Sequence, residues 1–197
     1  MNQLLTDLGV PGEIQNFFNC NELRFYYGDD IEEFSNDFHL IPATRNLWMA
    51  GEGVGRDVII TSSAIEAISF LTCNKHRFPD FKSLTLVAVG NLPHTEQGIY
   101  IKKLYPKRQF TLAFGNDLYG RLADIKIAAG LANKPVRLLY SDAVIRVTFE
   151  GLTYEFEYAR LSLNAFKKAF GLRTGISTVK PKIHNTFLDQ LKNHGKL

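Results

Sequence analysis

Asp57-Val58-Ile59-Ile60-Thr61-Ser62-Ser63-Ala64-Ile65-Glu66-Ala67-Ile68-Ser69-Phe70-Leu71-Thr72-Cys73 is the stretch that sets the fold class. Its first five residues are a short β-branched apolar run, its two serines form a break suited to helix capping, and Ala64 to Cys73 carries a helical period. A strand that is apolar on both faces and leads straight into a helix is the first half of a strand-helix-strand unit.

The alternation continues downstream. Leu84–Gly90 reads as a strand, His94 to Tyr105 as a helix, Gln109–Phe114 as a strand, Leu118 to Leu131 as a helix and Val136–Tyr140 as a strand. The expectation is an α/β core over 56–142, a four-stranded parallel sheet flanked by helices with right-handed crossovers. Ahead of it, 1–55 reads as a lead-in. Two helical pieces are broken at Pro11-Gly12, and the runs Leu23–Tyr27, Phe38–Ile41 and Asn46–Trp48 suit a small antiparallel sheet. Gly51-Glu52-Gly53-Val54-Gly55 closes the lead-in as a turn; it precedes a strand instead of following one, which discounts it as a phosphate loop. After the core, 143–197 reads as a hairpin about Glu150-Gly151, a helix from Ser162 to Phe170 stopped by Gly171, a basic loop and a last helix from Asn185 to Asn193.

Two strand-to-helix junctions carry a resemblance. The first reads Ile60-Thr61-Ser62-Ser63-Ala64-Ile65-Glu66-Ala67-Ile68-Ser69, and the second Leu112-Ala113-Phe114-Gly115-Asn116-Asp117-Leu118-Tyr119-Gly120-Arg121-Leu122-Ala123. In frame and order they resemble the Toprim domain of primases, topoisomerases and plasmid-mobilisation primase-like proteins. Gly90 matches the glycine before the second helix, and Asn185-Thr186-Phe187-Leu188-Asp189-Gln190-Leu191-Lys192 is similar to the segment that closes such domains on mobile elements. The resemblance spans roughly residues 40 to 192. It implies a glutamate that transfers protons and two aspartates that join it around Mg²⁺ at the carboxyl ends of the strands. Ser62 stands at the glutamate position and Gly115 at the first aspartate, so Asp117 alone remains of that set.

Mg²⁺ is hard and takes oxygen ligands, but it can be held by one or two carboxylates together with substrate phosphates. A residual Mg²⁺ role at Asp117 is therefore one reading of that residue, and capping of the following helix with Asn116 is the other. Glu66 has two readings as well. It can replace the lost glutamate, or it can complete with Ser63 an S-x-x-E capping box. Ser62, Ser63, Glu66, Gly90, Gly115, Asn116 and Asp117 together outline a vestigial cleft. Gly115 permits close backbone approach, so the loop there is expected to take an anion on its N–H groups, with Arg121 as a phosphate partner.

Charge is segregated along the chain. Residues 1–70 hold 11 acids and 3 bases, whereas 161–197 hold 7 bases against Asp189 alone. Lys102, Lys103, Lys107 and Arg108 form one basic cluster, and Lys167, Lys168, Arg173, Lys180 and Lys182 a second. Such groups suit a sequence-independent partner, the backbone of DNA or RNA, and no base-reading motif accompanies them. Cys20 and Cys73 lack metal spacing, His39, His76, His94, His184 and His194 do likewise, and the first residues are unlike a secretion signal. The expected setting is the cytoplasm, with no membrane partner.

The sequence thus predicts a degenerate Toprim-like protein, a nucleic-acid-associated accessory of plasmid or mobile-element replication or mobilisation with little or no catalysis, requiring no cofactor. A replication or mobilisation protein is the other expected partner of such an accessory. Two other readings stay open: a Mg²⁺-dependent primase-like or nuclease-like enzyme using Asp117 with Glu66 or Asp142, and a protein–protein interaction module without nucleic acid, in which the acidic N-terminal part meets the basic C-terminal part of another copy.

Overall fold

The computed structural model describes residues 1–51, 55–142 and 144–193; Glu52, Gly53 and Val54 of the glycine turn, and His194, lie outside the described residues. At its centre is a five-stranded mixed sheet in the order β11-β7-β5-β6-β4. Its strands are β4 (Trp48–Ala50), β5 (Asp57–Thr61), β6 (Thr85–Ala88), β7 (Gln109–Leu112) and β11 (Ser177–Thr178). All pairings are parallel except that of β4 with β6. Side chains alternate through β5 as pleating requires. Val58 and Ile60 enter a core on one face of the sheet, and Ile59 enters a core on the other.

Helices divide between those two cores. On the Ile59 side pack α1 (Gln3–Asp7), α2 (Gly12–Phe17), α3 (Ala64–Asn74) and α7 (Phe187–Lys192), together with a small sheet of β1 (Arg24–Tyr27), β2 (Asp30–Phe34) and β3 (His39–Leu40). The other side carries α4 (Thr95–Leu104), α5 (Leu118–Leu131) and α6 (Leu163–Phe170), with a second antiparallel sheet of β8 (Val136–Ser141), β9 (Val144–Phe149) and β10 (Leu152–Glu157). Helices α4 and α5 meet through glycines: a Cβ on Gly98 would stand 2.6 Å from the Ile127 carbonyl, and one on Gly130 2.1 Å from that of Thr95. Any side chain at either position would force the helices apart. Among the described residues no helix is long and apolar enough to cross a membrane.

Three of the four expected parallel strands lie side by side as anticipated. The fourth does not. Val136–Tyr140 forms β8, which pairs antiparallel with β9 in a separate sheet, Leu138 facing Val147. Its apolar run conceals a period of two, since Val136 and Leu138 are half-buried while Arg137 and Leu139 are exposed. That is the pattern of a sheet with one wet face. The fourth parallel place goes to β11, a two-residue strand on β7. Trp48 likewise leaves the expected lead-in sheet, because β4 pairs with β6 at the opposite edge. The hairpin forms as expected, with Glu150 and Gly151 both at positive φ.

Candidate functional site

Open α/β sheets bind ligands beyond the carboxyl ends of their strands. Ser62 follows the end of β5, and Ser63 caps α3, its Oγ accepting the Glu66 N–H at 3.1 Å. Only this half of the expected capping box exists. Glu66 turns its carboxylate away from Ser63, and its two oxygens accept the Phe187 N–H at 2.9 Å and the Leu188 N–H at 3.1 Å. It therefore caps α7, far along the chain, by meeting two of the donors that a helix start leaves unpaired. Burial pushes the Glu66 carboxyl above its usual range, while the two N–H groups and the Thr186 hydroxyl draw it back down.

The donors at the start of α3 are met instead by Glu32, from β2. Its carboxylate accepts the Ala64 N–H at 2.7 Å and the Ile65 N–H at 3.1 Å. It also accepts the Tyr27 hydroxyl at 2.6 Å and faces His39 Nε2 at 2.9 Å. A wholly buried carboxylate thus sits at the head of the helix that follows Ser62, carried there by another segment. Sequence reasoning missed Glu32. The available signal was the strand period, which places Glu32 on the same face as Phe34.

At the end of β7, Asp117 caps α5, its Oδ1 accepting the Gly120 N–H at 2.8 Å. The Asn116 N–H is given to the Asn185 carbonyl at 2.8 Å. Two of the N–H groups around this loop are thereby engaged within the protein. A Cβ on Gly115 would lie 2.8 Å from the same Asn185 oxygen, so the glycine clears a path for the tail. The tail runs across both junctions, touching the β7 end at Asn185 and the start of α3 through Phe187 and Leu188. Gly90, at the end of β6, has φ +82 and lies against Pro42 and Thr44.

Lys180 anchors the same tail. Its ammonium donates to the carbonyls of Phe114 at 3.2 Å and Gly115 at 2.9 Å, and pairs with Asp124 Oδ2 at 2.7 Å. Burial lowers the Lys180 pKa against the pull of Asp124, and burial also pushes the Asp124 carboxyl up to about 6. Beside this pair opens a cleft of about 300 Å³ lined by Asn116, Arg121, Asp124, Arg160, Ser162, Asn164 and Lys180 among others. It lies past the carboxyl ends of β7 and β11. Arg121 is held on one wall, its Nη1 donating to the carbonyls of Ala159 at 2.9 Å and Tyr158 at 3.4 Å.

The ten basic residues singled out from the sequence do not share one surface. Arg121, Lys180 and Lys182 lie toward the carboxyl ends of the strands. Lys102 and Lys103 end α4, and Lys107 and Arg108 precede β7, at the amino ends. Lys102 and Arg108 line a separate depression of about 280 Å³ with Phe110 and the Thr174–Ile176 loop. Lys167 reaches that loop too, donating to the Ile176 carbonyl, while Lys168 and Arg173 are exposed. Arg160, on the cleft wall, was not singled out, since it sits in an ordinary charged stretch after the hairpin. Asp142, the suggested relocated carboxylate, lies at the exposed β8–β9 turn with φ +49, on the antiparallel sheet.

Comparison with family models, curated proteins and solved structures finds no match.

Proposed function

We propose that the chain is a Toprim-like protein that binds the phosphate backbone of DNA or RNA without metal-dependent catalysis, as an accessory in replication or mobilisation of a plasmid or other mobile element. The observation that carries this reading is the contact between Gly115 and Asn185. Where the resembling family holds an aspartate, this chain has a glycine, and the space an aspartate side chain would enter is taken by a carbonyl of its own tail. At the neighbouring junction Ser62 stands in the glutamate frame, and Glu66 already commits both oxygens to α7. The order β7-β5-β6, with α3 and α5 leaving the ends of β5 and β7 through the two motif frames, is the further support. Basic groups at both ends of the strands supply the attraction to phosphate.

A fluorescence anisotropy titration with single-stranded DNA, duplex DNA and RNA tests the reading. Binding should be insensitive to base sequence and weaken with salt by about 0.9 log units per log unit of salt for each duplex phosphate neutralised. Absence of binding to all three at low salt would remove the nucleic-acid claim. Turnover of any of them in Mg²⁺, abolished by Asp117→Ala, would restore the enzyme reading.

A further inference from the structure

The cleft between α5 and the segment leading into α6 has parts that nothing in the backbone-binding reading requires. Arg121 and Arg160 stand on its walls with Lys180 at its base. Leu161, Ser162, Leu163 and Asn164 bring the start of α6 to its edge. Helix α6 is eight residues long, and Ser162 Oγ caps it by accepting the Ala165 N–H at 3.1 Å. The first-turn N–H groups of Leu163 and Asn164 have no acceptor within a helix of that register, and both residues line the opening at the positive end of the helix. Asp124 lies at the base, 1% exposed, with Oδ2 on Lys180 and Oδ1 without a hydrogen-bond partner. Glu157, which pairs with Arg160 at 3.2 Å on the open surface, is the acidic group beside it.

We infer that this cleft is a seat for one phosphate group, held by Arg121, Arg160 and the start of α6, with the unpartnered oxygen of Asp124 accepting a hydroxyl carried next to that phosphate. Guanidinium groups and helix starts are the donors best suited to phosphate oxygens. A buried acceptor beside them selects a ligand that also brings a donor, as a sugar hydroxyl does. Its volume lies at the small end of ligand pockets, suited to a single nucleotide unit and not to a length of backbone. The chemistry is therefore a phosphate monoester on a ribose that keeps a free hydroxyl, supplied either by a free ribonucleoside monophosphate or by the 5′-phosphorylated end of an RNA strand, whose first ribose retains its 2′-hydroxyl. Only the second source rests on the nucleic-acid reading.

Chemical-shift titration of the labelled protein separates the two. The probes are inorganic phosphate, a ribonucleoside 5′-monophosphate, the matching nucleoside, and a short oligoribonucleotide with either a 5′-phosphate or a 5′-hydroxyl. The expected result is perturbation of the Arg121, Arg160, Leu163 and Asn164 signals by the phosphorylated probes and none by the nucleoside. Arg160→Gln changes an exposed side chain and should weaken the binding about tenfold. Asn164→Asp places a carboxylate at the start of α6, where it suits the helix, and should abolish binding while the melting temperature holds. Mononucleotide binding at the cleft without any binding of polynucleotide would uphold the seat and remove the wider reading. Polynucleotide binding that leaves these signals unmoved and is indifferent to both variants would overturn the seat and leave the wider reading standing.

Discussion

Gly115 and Asn185 meet backbone to backbone at the end of β7. The Asn185 carbonyl accepts the Asn116 N–H at 2.8 Å and would stand equally close to a Cβ on Gly115. A single atom of the tail both accepts a hydrogen bond from the β7–α5 loop and fills the space that a side chain at Gly115 would enter.

Gly115→Ala should therefore destabilise the protein by about 1–3 kcal/mol, the usual cost of forcing extra volume into a packed site. Gly115→Asp should cost at least as much and should not create a Mg²⁺ site while the tail stays in place. Thermal melts of both variants, with calorimetric Mg²⁺ titration of the second, check this.

Glu66 ties the same tail to α3. Its replacement by alanine leaves the buried Phe187 and Leu188 N–H groups without acceptors, a loss of about 2–5 kcal/mol at the usual penalty for such groups. Gln keeps one acceptor oxygen and should lose roughly half as much. Hydrogen exchange reads the effect locally: the α7 amides should lose protection before those of β5 and β6.

The Asp124–Lys180 pair sets a pH dependence. Because burial raises the folded Asp124 pKa to about 6, from an ordinary 3.8, the folded state binds the extra proton between those values. Stability contributed by this group is then greatest at the acid end and falls as pH rises through that window. Asp124→Asn cannot ionise, so wild-type stability relative to this variant should decline from about pH 4 to about pH 6 and level off above. Denaturant melts of both proteins across pH 4–8 measure the difference; a gap that widens in favour of wild type over that range would contradict the assignment.

The strand-helix rhythm around β5, β6 and β7 was legible because buried parallel strands and amphipathic helices write different periods into the sequence. Val136–Tyr140 was misread because four apolar or aromatic positions around one arginine look alike whether one face or two are buried. What decides the matter is the neighbour that the hairpin supplies, since β8 continues directly into β9. Ser177–Thr178 could not be read as a strand at all, because two residues carry no period. At the site, the capping of α3 by Ser63 and of α5 by Asp117 was legible in the sequence, because each residue stands directly before an apolar helical stretch. The roles of Glu32, Glu66 and Lys180 were not, because each acts on a segment far away in sequence. Glu66 illustrates the limit: its spacing from Ser63 fits a capping box, but the tail offers two donors where Ser63 offers one. The basic residues group into two clusters in the sequence, but their division between the two ends of the strands depends on topology, which charge counts do not contain.

In the proposed binding mode phosphate is gripped by side chains and a helix start, with no ion between protein and ligand. Anisotropy titration of a labelled oligonucleotide in EDTA, repeated at saturating Mg²⁺ with ionic strength held constant, tests that most directly. Binding is predicted in EDTA and is expected to be weaker in Mg²⁺, as the divalent ion competes for the phosphates. Binding that appears only when Mg²⁺ is added would contradict it.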